Sequence, residues 1–384
     1  MKQHKTMKAA IVGTGFIGKQ HYEAIRRLPN TGVVAVVDAD ATKIAAFAQE
    51  YGIEHAFTSM EELLDNLEID VVHICTPNFL HYPMAKLALE RGVNVFCEKP
   101  LSLTAHESED LVRIAKDKQV HHAVNLNYRS NVMVREMRHR IQNEQIGNVL
   151  MIQSEYIQDW LMFDTDYDWH FLPKMVGPSR TVADIGTHVF DIVQFVTNSK
   201  IKEVFANLVT VYPQRFQREQ RGETFSQEYV GEAKAVDVVN EDAAMIIARL
   251  DNGAQVSIVL SQVTGGYKNG LEIVVSGSKS SLTWKQEMAD RLIVGNRLGG
   301  NEMLYADPKY VDRSLSDFIS LPNGHAVGWA DAFKNSIHEF YKTIQNDVYQ
   351  SDSIVDFNEG HYLMKLVEAT LESNKTKQWV TIHE

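Results

Sequence analysis

The chain has 384 residues, which at roughly 100–200 residues per domain predicts two or three domains, each able to bury a core. Hydrophobic residues make up 44% and charged residues 23%, a composition that excludes an intrinsically disordered chain. Fifty acidic side chains against 38 lysines and arginines leave a formal net charge of −12, opposite to the basic footprint of a nucleic-acid-binding protein.

Strand and helix alternate through the first third. Residues 9–12 form a short apolar run of buried-strand type, followed at once by Gly13-Thr14-Gly15-Phe16-Ile17-Gly18 and a helical pattern from about Phe16 to Leu28. A second apolar run, 33–37, ends at Asp38, and residues 42–51 read as a helix stopped by Gly52. Ser59 with Glu62, and Thr104 with Glu107, have the capping-box spacing of helix starts. Residues 71–75, 93–97 and 121–126 are further strands, with helices over 80–91 and from 104 to about 118 between them. Strands apolar on both faces and separated by helices predict an α/β, doubly wound parallel sheet of Rossmann type over residues 1–127.

The pattern changes after Asn127. A helix is predicted over 131–145, with its charged stretch 135–140 on a solvated face, and a strand over 149–158. Asp251-Asn252-Gly253 joins two strand-like runs as a hairpin, because Asn-Gly accommodates positive φ, and Gly277-Ser278-Lys279 marks another turn. Helical stretches over about 328–345 and 357–373 close the chain. Residues 128–384 are therefore expected to be an α+β domain with a largely antiparallel open sheet.

The glycine motif sits directly after a strand and opens a helix, the context that dinucleotide binding needs. Gly13 permits the tight turn, Gly15 lets the backbone approach a pyrophosphate, and Gly18 allows close helix–strand packing. Thr14, Phe16 and Ile17 complete the loop, and the anion would rest on a helix N-terminus. Asp38 stands about 20 residues further on, the place of an acid that hydrogen-bonds a ribose 2′-hydroxyl. Ala39 and Asp40 follow it instead of a basic residue, which points to NAD over NADP. Ligands of an open α/β sheet bind outside the carboxyl ends of its strands. Two polar clusters at such ends, Thr76-Pro77-Asn78 with His81, and Glu98-Lys99-Pro100, are accordingly expected along the cofactor. Read alone, the second could be a surface turn, although the proline gives Lys99 an unusually fixed base.

Gly13, Gly15 and Gly18 with His21, then Thr76-Pro77 with His81, Glu98-Lys99-Pro100 and Asn127-Tyr128-Arg129, in this order, resemble the glucose–fructose oxidoreductase/inositol dehydrogenase (Gfo/Idh/MocA) family along essentially the whole chain. The resemblance implies a Rossmann domain, then a domain that binds substrate and assembles homodimers or homotetramers. It also implies NAD(P)-dependent hydride transfer at a secondary hydroxyl of a sugar or cyclitol. It puts Lys99 beside nicotinamide and substrate, Asn127 at the cofactor and Arg129 at the substrate.

Asp184 and His188 are at i, i+4, so on a helix they share a face. Such a pair can be acid and base, two metal ligands, or a surface ion pair. The resemblance selects the first: His188 as general base, Asp184 holding it or a substrate hydroxyl, Asp191 in an orienting part, and no metal. Residues 158–169 interleave four aspartates with aromatic rings, so Trp160, Asp168 and Trp169 are substrate-site candidates; an exposed acidic loop or a subunit contact is the alternative. Many relatives carry Trp-Arg where this chain has Trp169-His170. Two other functions compete, a redox-assisted glycoside hydrolase that binds NAD without net turnover and a non-catalytic NAD sensor, the latter having no need of Lys99, Asp184 and His188 together.

Cys75 and Cys97 are too few for a disulfide framework or a four-cysteine zinc site and are expected to be small buried residues near the cofactor. No apolar run approaches the about 18 residues of a membrane span. A cytoplasmic protein is expected, with no membrane or nucleic-acid partner and with residues 1–6 as a dispensable extension.

Overall fold

The computed structural model describes residues 6–221, 229–322 and 324–383, so residues 1–5 of the expected extension lie outside the described residues. The chain divides into two compact units, Met1–Asn127 with Phe333–His361, and Tyr128–Ala332 with Tyr362–Glu384.

The first unit begins with β1 (Met7–Val12), α1 (Phe16–Ile25), β2 (Thr31–Val37), α2 (Ala41–Tyr51), β3 (His55–Phe57) and α3 (Met60–Asn66). It continues with β4 (Val71–Ile74), α4 (His81–Glu90), β5 (Asn94–Cys97), α5 (Ala105–Lys118) and β6 (His122–Val124). All pairings are parallel, and the order is β3-β2-β1-β4-β5-β6, the doubly wound arrangement. Ile11, Val36, Val72 and Phe96 are fully buried, as strands covered on both faces require. Strand β3 escapes a sequence reading because three residues are too few to show a period. Thr104 and Glu107 form a complete capping box, and the Ser59 side chain accepts from the Glu62 N–H.

The second unit contains α6 (Val132–Gln142), β7 (Val149–Ile157), a short α7 (Pro173–Val176), and a π-turn, Val182–Gly186, that runs into α8 (Thr187–Thr197). Then come β8 (Ile201–Val209), β9 (Gln214–Arg221), β10 (Tyr229–Asp237), β11 (Ala243–Leu250), β12 (Gln255–Ser261) and β13 (Gly270–Gly277). The chain ends with β14 (Ser280–Lys285), β15 (Arg291–Asn296), β16 (Glu302–Tyr305), α9 (Trp329–Asn346), which from Phe333 onward belongs to the first unit, α10 (Phe357–Thr376), which from Tyr362 onward belongs to the second, and β17 (Val380–Thr381). Nine strands run β16-β15-β14-β13-β7-β12-β11-β8-β17, antiparallel except for β7 with β12. The hairpin at Asp251-Asn252-Gly253 is present; β9 and β10 form a separate two-stranded ribbon. Met245 and Val259, directly opposed across β11 and β12, are exposed on one face of the large sheet.

The charged stretch of α6 is not a solvated face. Arg135 and Glu136 are buried, the Arg135 guanidinium lying 4.1 Å from the Phe318 ring centre, because long cationic side chains cover apolar surface as well as meeting water. Among the described residues no helix is long and apolar enough to cross a membrane.

Part of α9 completes the first unit. Phe340 is fully buried with its ring 5.3 Å from that of Phe96, and Phe333 lies edge-on to His21 at 4.9 Å. Phe340→Ala should therefore lower the unfolding free energy of the first unit by about 3–5 kcal/mol, the usual effect of emptying a core aromatic site. Urea titration followed by hydrogen exchange of the β4 and β5 amides checks this; a loss below about 1 kcal/mol would show that residues 333–361 are dispensable to that core.

Candidate functional site

The loop between β1 and α1 is shaped by two glycines. Gly13 has φ +102°, and a Cβ there would lie 2.5 Å from the Cys75 carbonyl oxygen. A Cβ on Gly18 would lie 2.1 Å from the Gly13 carbonyl oxygen, so both positions exclude any side chain. Beside Gly15, the N-cap of α1, the space is open and no side chain caps the helix. This leaves backbone N–H groups of a helix N-terminus facing a cradle suited to a pyrophosphate. Asp38 closes the loop from the end of β2, its Oδ2 accepting from the Thr14 N–H at 2.9 Å and from Thr14 Oγ1 at 2.8 Å. Burial alone would raise its carboxyl, but these bonds and one from the Asp40 N–H hold it below the usual carboxylate range. Phe16 is exposed at the mouth of the loop, and Ile17 follows it in α1.

Thr76, Pro77 and Asn78 follow β4, and His81 opens α4. The buried His81 ring spans the Pro100 carbonyl at 2.7 Å and the Thr76 carbonyl at 2.8 Å, joining the two strand-end clusters from within. Burial draws its pKa down although both carbonyls pull it up. Asn127 is also buried, and among the described residues its Nδ2 has no hydrogen-bond partner.

Glu98 is the centre of a polar chain that a linear reading misses. Its Oε1 accepts from His21 Nε2 at 2.9 Å and from Asn125 Nδ2 at 2.6 Å, while Oε2 accepts from the Lys99 backbone N–H at 3.3 Å. His21 Nδ1 meets His73 Nδ1 at 2.8 Å, and His73 Nε2 meets the Tyr341 hydroxyl at 2.8 Å. Tyr341, His73, His21 and Glu98 thus form one continuous hydrogen-bonded chain, in which the tautomers of the two imidazoles set which nitrogen donates. Burial and the neighbouring His21 push the His73 pKa well down. Burial would raise the Glu98 carboxyl, but His21, Asn125 and the Lys99 charge keep it below its ordinary value. Burial and Glu98 push both buried thiols, Cys75 and Cys97, well up, so they are unreactive neighbours. Lys99 itself is half-buried.

In the second unit Asp184 lies in the π-turn and His188 in the first turn of α8, so the expected single α-helical face is interrupted between them. Such irregular turns are frequent at functional sites. Asp184 is partly exposed and its Oδ2 accepts from Gln262 Nε2 at 2.7 Å. The buried His188 ring lies edge-on to Tyr128 at 4.8 Å and near Tyr156 at 6.1 Å. The two tyrosine hydroxyls bond each other at 2.8 Å. Arg129 is buried and forms a bidentate pair with Asp191.

The acidic stretch uses its carboxylates largely to fold itself. Asp159 accepts from Lys268 Nζ at 2.6 Å, and Asp166 from the Phe163 N–H at 2.8 Å. Buried Asp168 accepts from both the backbone N–H and the ring Nδ1 of His170 at 2.8 Å. The His170 ring stacks on Trp169 at 3.7 Å and meets Trp160 edge-on at 5.2 Å. His170, which the sequence marks only as a missing arginine, thus sits among the three candidates Trp160, Asp168 and Trp169. Among the described residues no group of three or more His, Cys, Asp or Glu side chains could hold a metal ion.

A model of the GFO_IDH_MocA oxidoreductase family, with its NAD-binding Rossmann fold, matches residues 7–126, and the family's C-terminal domain model matches residues 134–283. The chain is 27% identical to levoglucosan dehydrogenase of Pseudarthrobacter phenanthrenivorans over 98% of both chains. It is 24% identical to glucose-6-phosphate 3-dehydrogenase of Bacillus subtilis, also over 98% of both. A levoglucosan dehydrogenase solved in complex with NADH and levoglucosan is similar at a TM-score of 0.87 and 26% identity, over 98% of this chain and 100% of that one.

Buried histidines should make the first unit acid-sensitive. His73 is held well below the ordinary value of 6.5, and burial pushes His122, whose Nδ1 accepts from the Phe357 N–H at 3.0 Å, down to about 4. Below pH 6.5 the unfolded chain binds protons at these rings and the folded chain does not, so stability falls as pH drops from 6.5 toward the folded values, by up to about 1.4 kcal/mol per pH unit for each ring. Denaturant titrations at pH 7, 6 and 5 should show a shallower decline for His122→Gln than for the parent; equal slopes would refute the assignment.

Proposed function

The chain belongs to the Gfo/Idh/MocA family of NAD-binding oxidoreductases, and from that premise we propose that it is a dehydrogenase moving a hydride between a secondary hydroxyl of a sugar or cyclitol and nicotinamide. The observation that carries this reading is the Asp184–His188 turn, with its oriented carboxylate and aromatic-flanked imidazole, in a chain that also holds the glycine cradle, Asp38 and the Glu98-anchored Lys99. A protein that only bound NAD would need the cradle and not the acid–base pair.

The bound nicotinamide supplies the hydride acceptor. Gly13, Thr14, Gly15 and the first turn of α1 would hold the pyrophosphate, and Asp38 would accept from the ribose hydroxyls. A carboxylate kept ionised at that place repels a 2′-phosphate, which supports NAD over NADP. His188 takes the hydroxyl proton, a task to which imidazole basicity is suited, and Asp184 orients the same substrate edge. The Lys99 ammonium donates to the substrate oxygen and stabilises developing alkoxide charge. Trp160 and Trp169 offer apolar faces to sugar C–H groups. Asp168 acts through His170, which it fixes, and Arg129 through Asp191.

With an acidic loop and no arginine at position 170, a neutral sugar such as levoglucosan or an inositol suits the site better than a sugar phosphate. The exposed apolar face around Met245 and Val259 supports assembly as a homodimer or homotetramer.

Screening levoglucosan, inositols and glucose 6-phosphate with NAD⁺ should give NADH absorbance with a neutral member and little with the phosphate. Bound NAD without accumulation would favour the hydrolase or sensor reading. Lys99→Ala and His188→Ala should each lower kcat on the order of 10²-fold or more, and near-parental rates in either would remove that residue from the mechanism. The cofactor assignment fails if kcat/KM is higher with NADP⁺.

A further inference from the structure

Asp184 is held by a residue from outside its own turn. Gln262 directly follows β12, and Asp242 directly precedes β11; because Ala243 pairs with Ser261, the two polar side chains flank the same end of the sheet. Gln262 is fully buried, and its Oε1 accepts from Arg180 Nη1 at 2.7 Å and from Thr181 Oγ1 at 3.0 Å. An amide has one acceptor and one donor end. Since the acceptor end faces a guanidinium, its NH₂ can only face Asp184, which it meets at 2.7 Å.

The same Arg180 pairs with the fully buried Asp242, whose Oδ1 also accepts from Arg215 Nη2 at 2.8 Å. Arg215, fully buried as well, donates to the backbone carbonyls of Leu161 at 3.0 Å, Phe163 at 2.7 Å and Asp166 at 2.9 Å. Both guanidiniums pack on the Phe171 ring, Arg180 at 4.3 Å and Arg215 at 4.5 Å from its centre. A buried guanidinium leaves its site only at a large desolvation and pairing cost, so each link is stiff.

We propose that Gln262 is a positioning residue for Asp184, and that Arg180, Asp242 and Arg215 form a strut joining it to the loop over residues 161–166, so that the acid and the sugar-facing loop move as one body. The loop is thereby preorganised around a ligand of fixed shape, and the strut belongs among the determinants of sugar selectivity. This rests on the reading of Asp184 as a substrate-side group.

The test uses the full chain with Gln262→Glu, which keeps size but replaces the donor with an acceptor, and Arg215→Lys, which keeps charge but cannot make the four bonds. Amide hydrogen exchange should quicken about tenfold or more over both 161–166 and 180–186 in each variant, while NADH affinity stays within about twofold of the parent; change confined to the mutated end overturns the strut. With levoglucosan and NAD⁺ as probe, Gln262→Glu should lower kcat about 10²-fold, and Arg215→Lys should mainly raise the sugar KM. If Asp184→Asn is crippled and Gln262→Glu is not, the positioning role is wrong. If Asp184→Asn turns over like the parent, the reading of Asp184 itself fails.

Discussion

Moving a carboxylate out of water costs several kcal/mol unless hydrogen bonds and charge replace the lost solvation. Glu98 is given both. Two side chains and a backbone N–H converge on its two oxygens, and each donor comes from a different part of the first unit: α1, the end of β6 and the Lys99 peptide. The carboxylate thereby stays ionised, locks the turn that presents Lys99, and gives His21 a fixed orientation. His21 in turn fixes His73 and, through it, Tyr341 of α9. Removing the charge would leave four buried polar groups without a coherent pattern of donation.

The second unit repeats the principle with guanidiniums as the donors. There a buried aspartate, Asp242, serves two guanidiniums, and backbone carbonyls absorb the remaining N–H groups. Both centres sit at the ends of strands, where ladder hydrogen bonding stops and side chains must satisfy what the sheet no longer does. Chemistry in this family of folds is placed at strand ends, so the buried polar anchors and the reactive groups are neighbours for a geometric reason.

Much of this was legible in the sequence. The parallel sheet follows from apolar strands spaced by helices, and Gly13 and Gly18 stand where no side chain fits, a constraint visible as a motif before any coordinates. Spacing and resemblance single out Asp38, Lys99, Asp184 and His188 as candidates. What escaped is interaction between residues that the chain keeps far apart. Nothing around His73 announces Tyr341, and Gln262 and Arg215 look like ordinary polar positions at the edges of strands. In the acidic stretch a count of aspartates does not reveal that Asp159, Asp166 and Asp168 also bond Lys268, the Phe163 N–H and His170. The π-turn was hidden because a helix with one widened turn has nearly the same sequence pattern as a regular one.

The placement of residues 333–361 in the first unit carries a consequence for synthesis. Domains generally fold as units while the ribosome elongates the chain from its N-terminus. Here the six-stranded sheet emerges early but lacks Phe340 over Phe96 and Tyr341 beside His73 until residues 128–332 have been made. The nascent nucleotide-binding half must wait, with an uncovered apolar patch and an open-ended histidine chain, while the second unit is translated. That interval links maturation of the cofactor cradle to translation of residues 333–361.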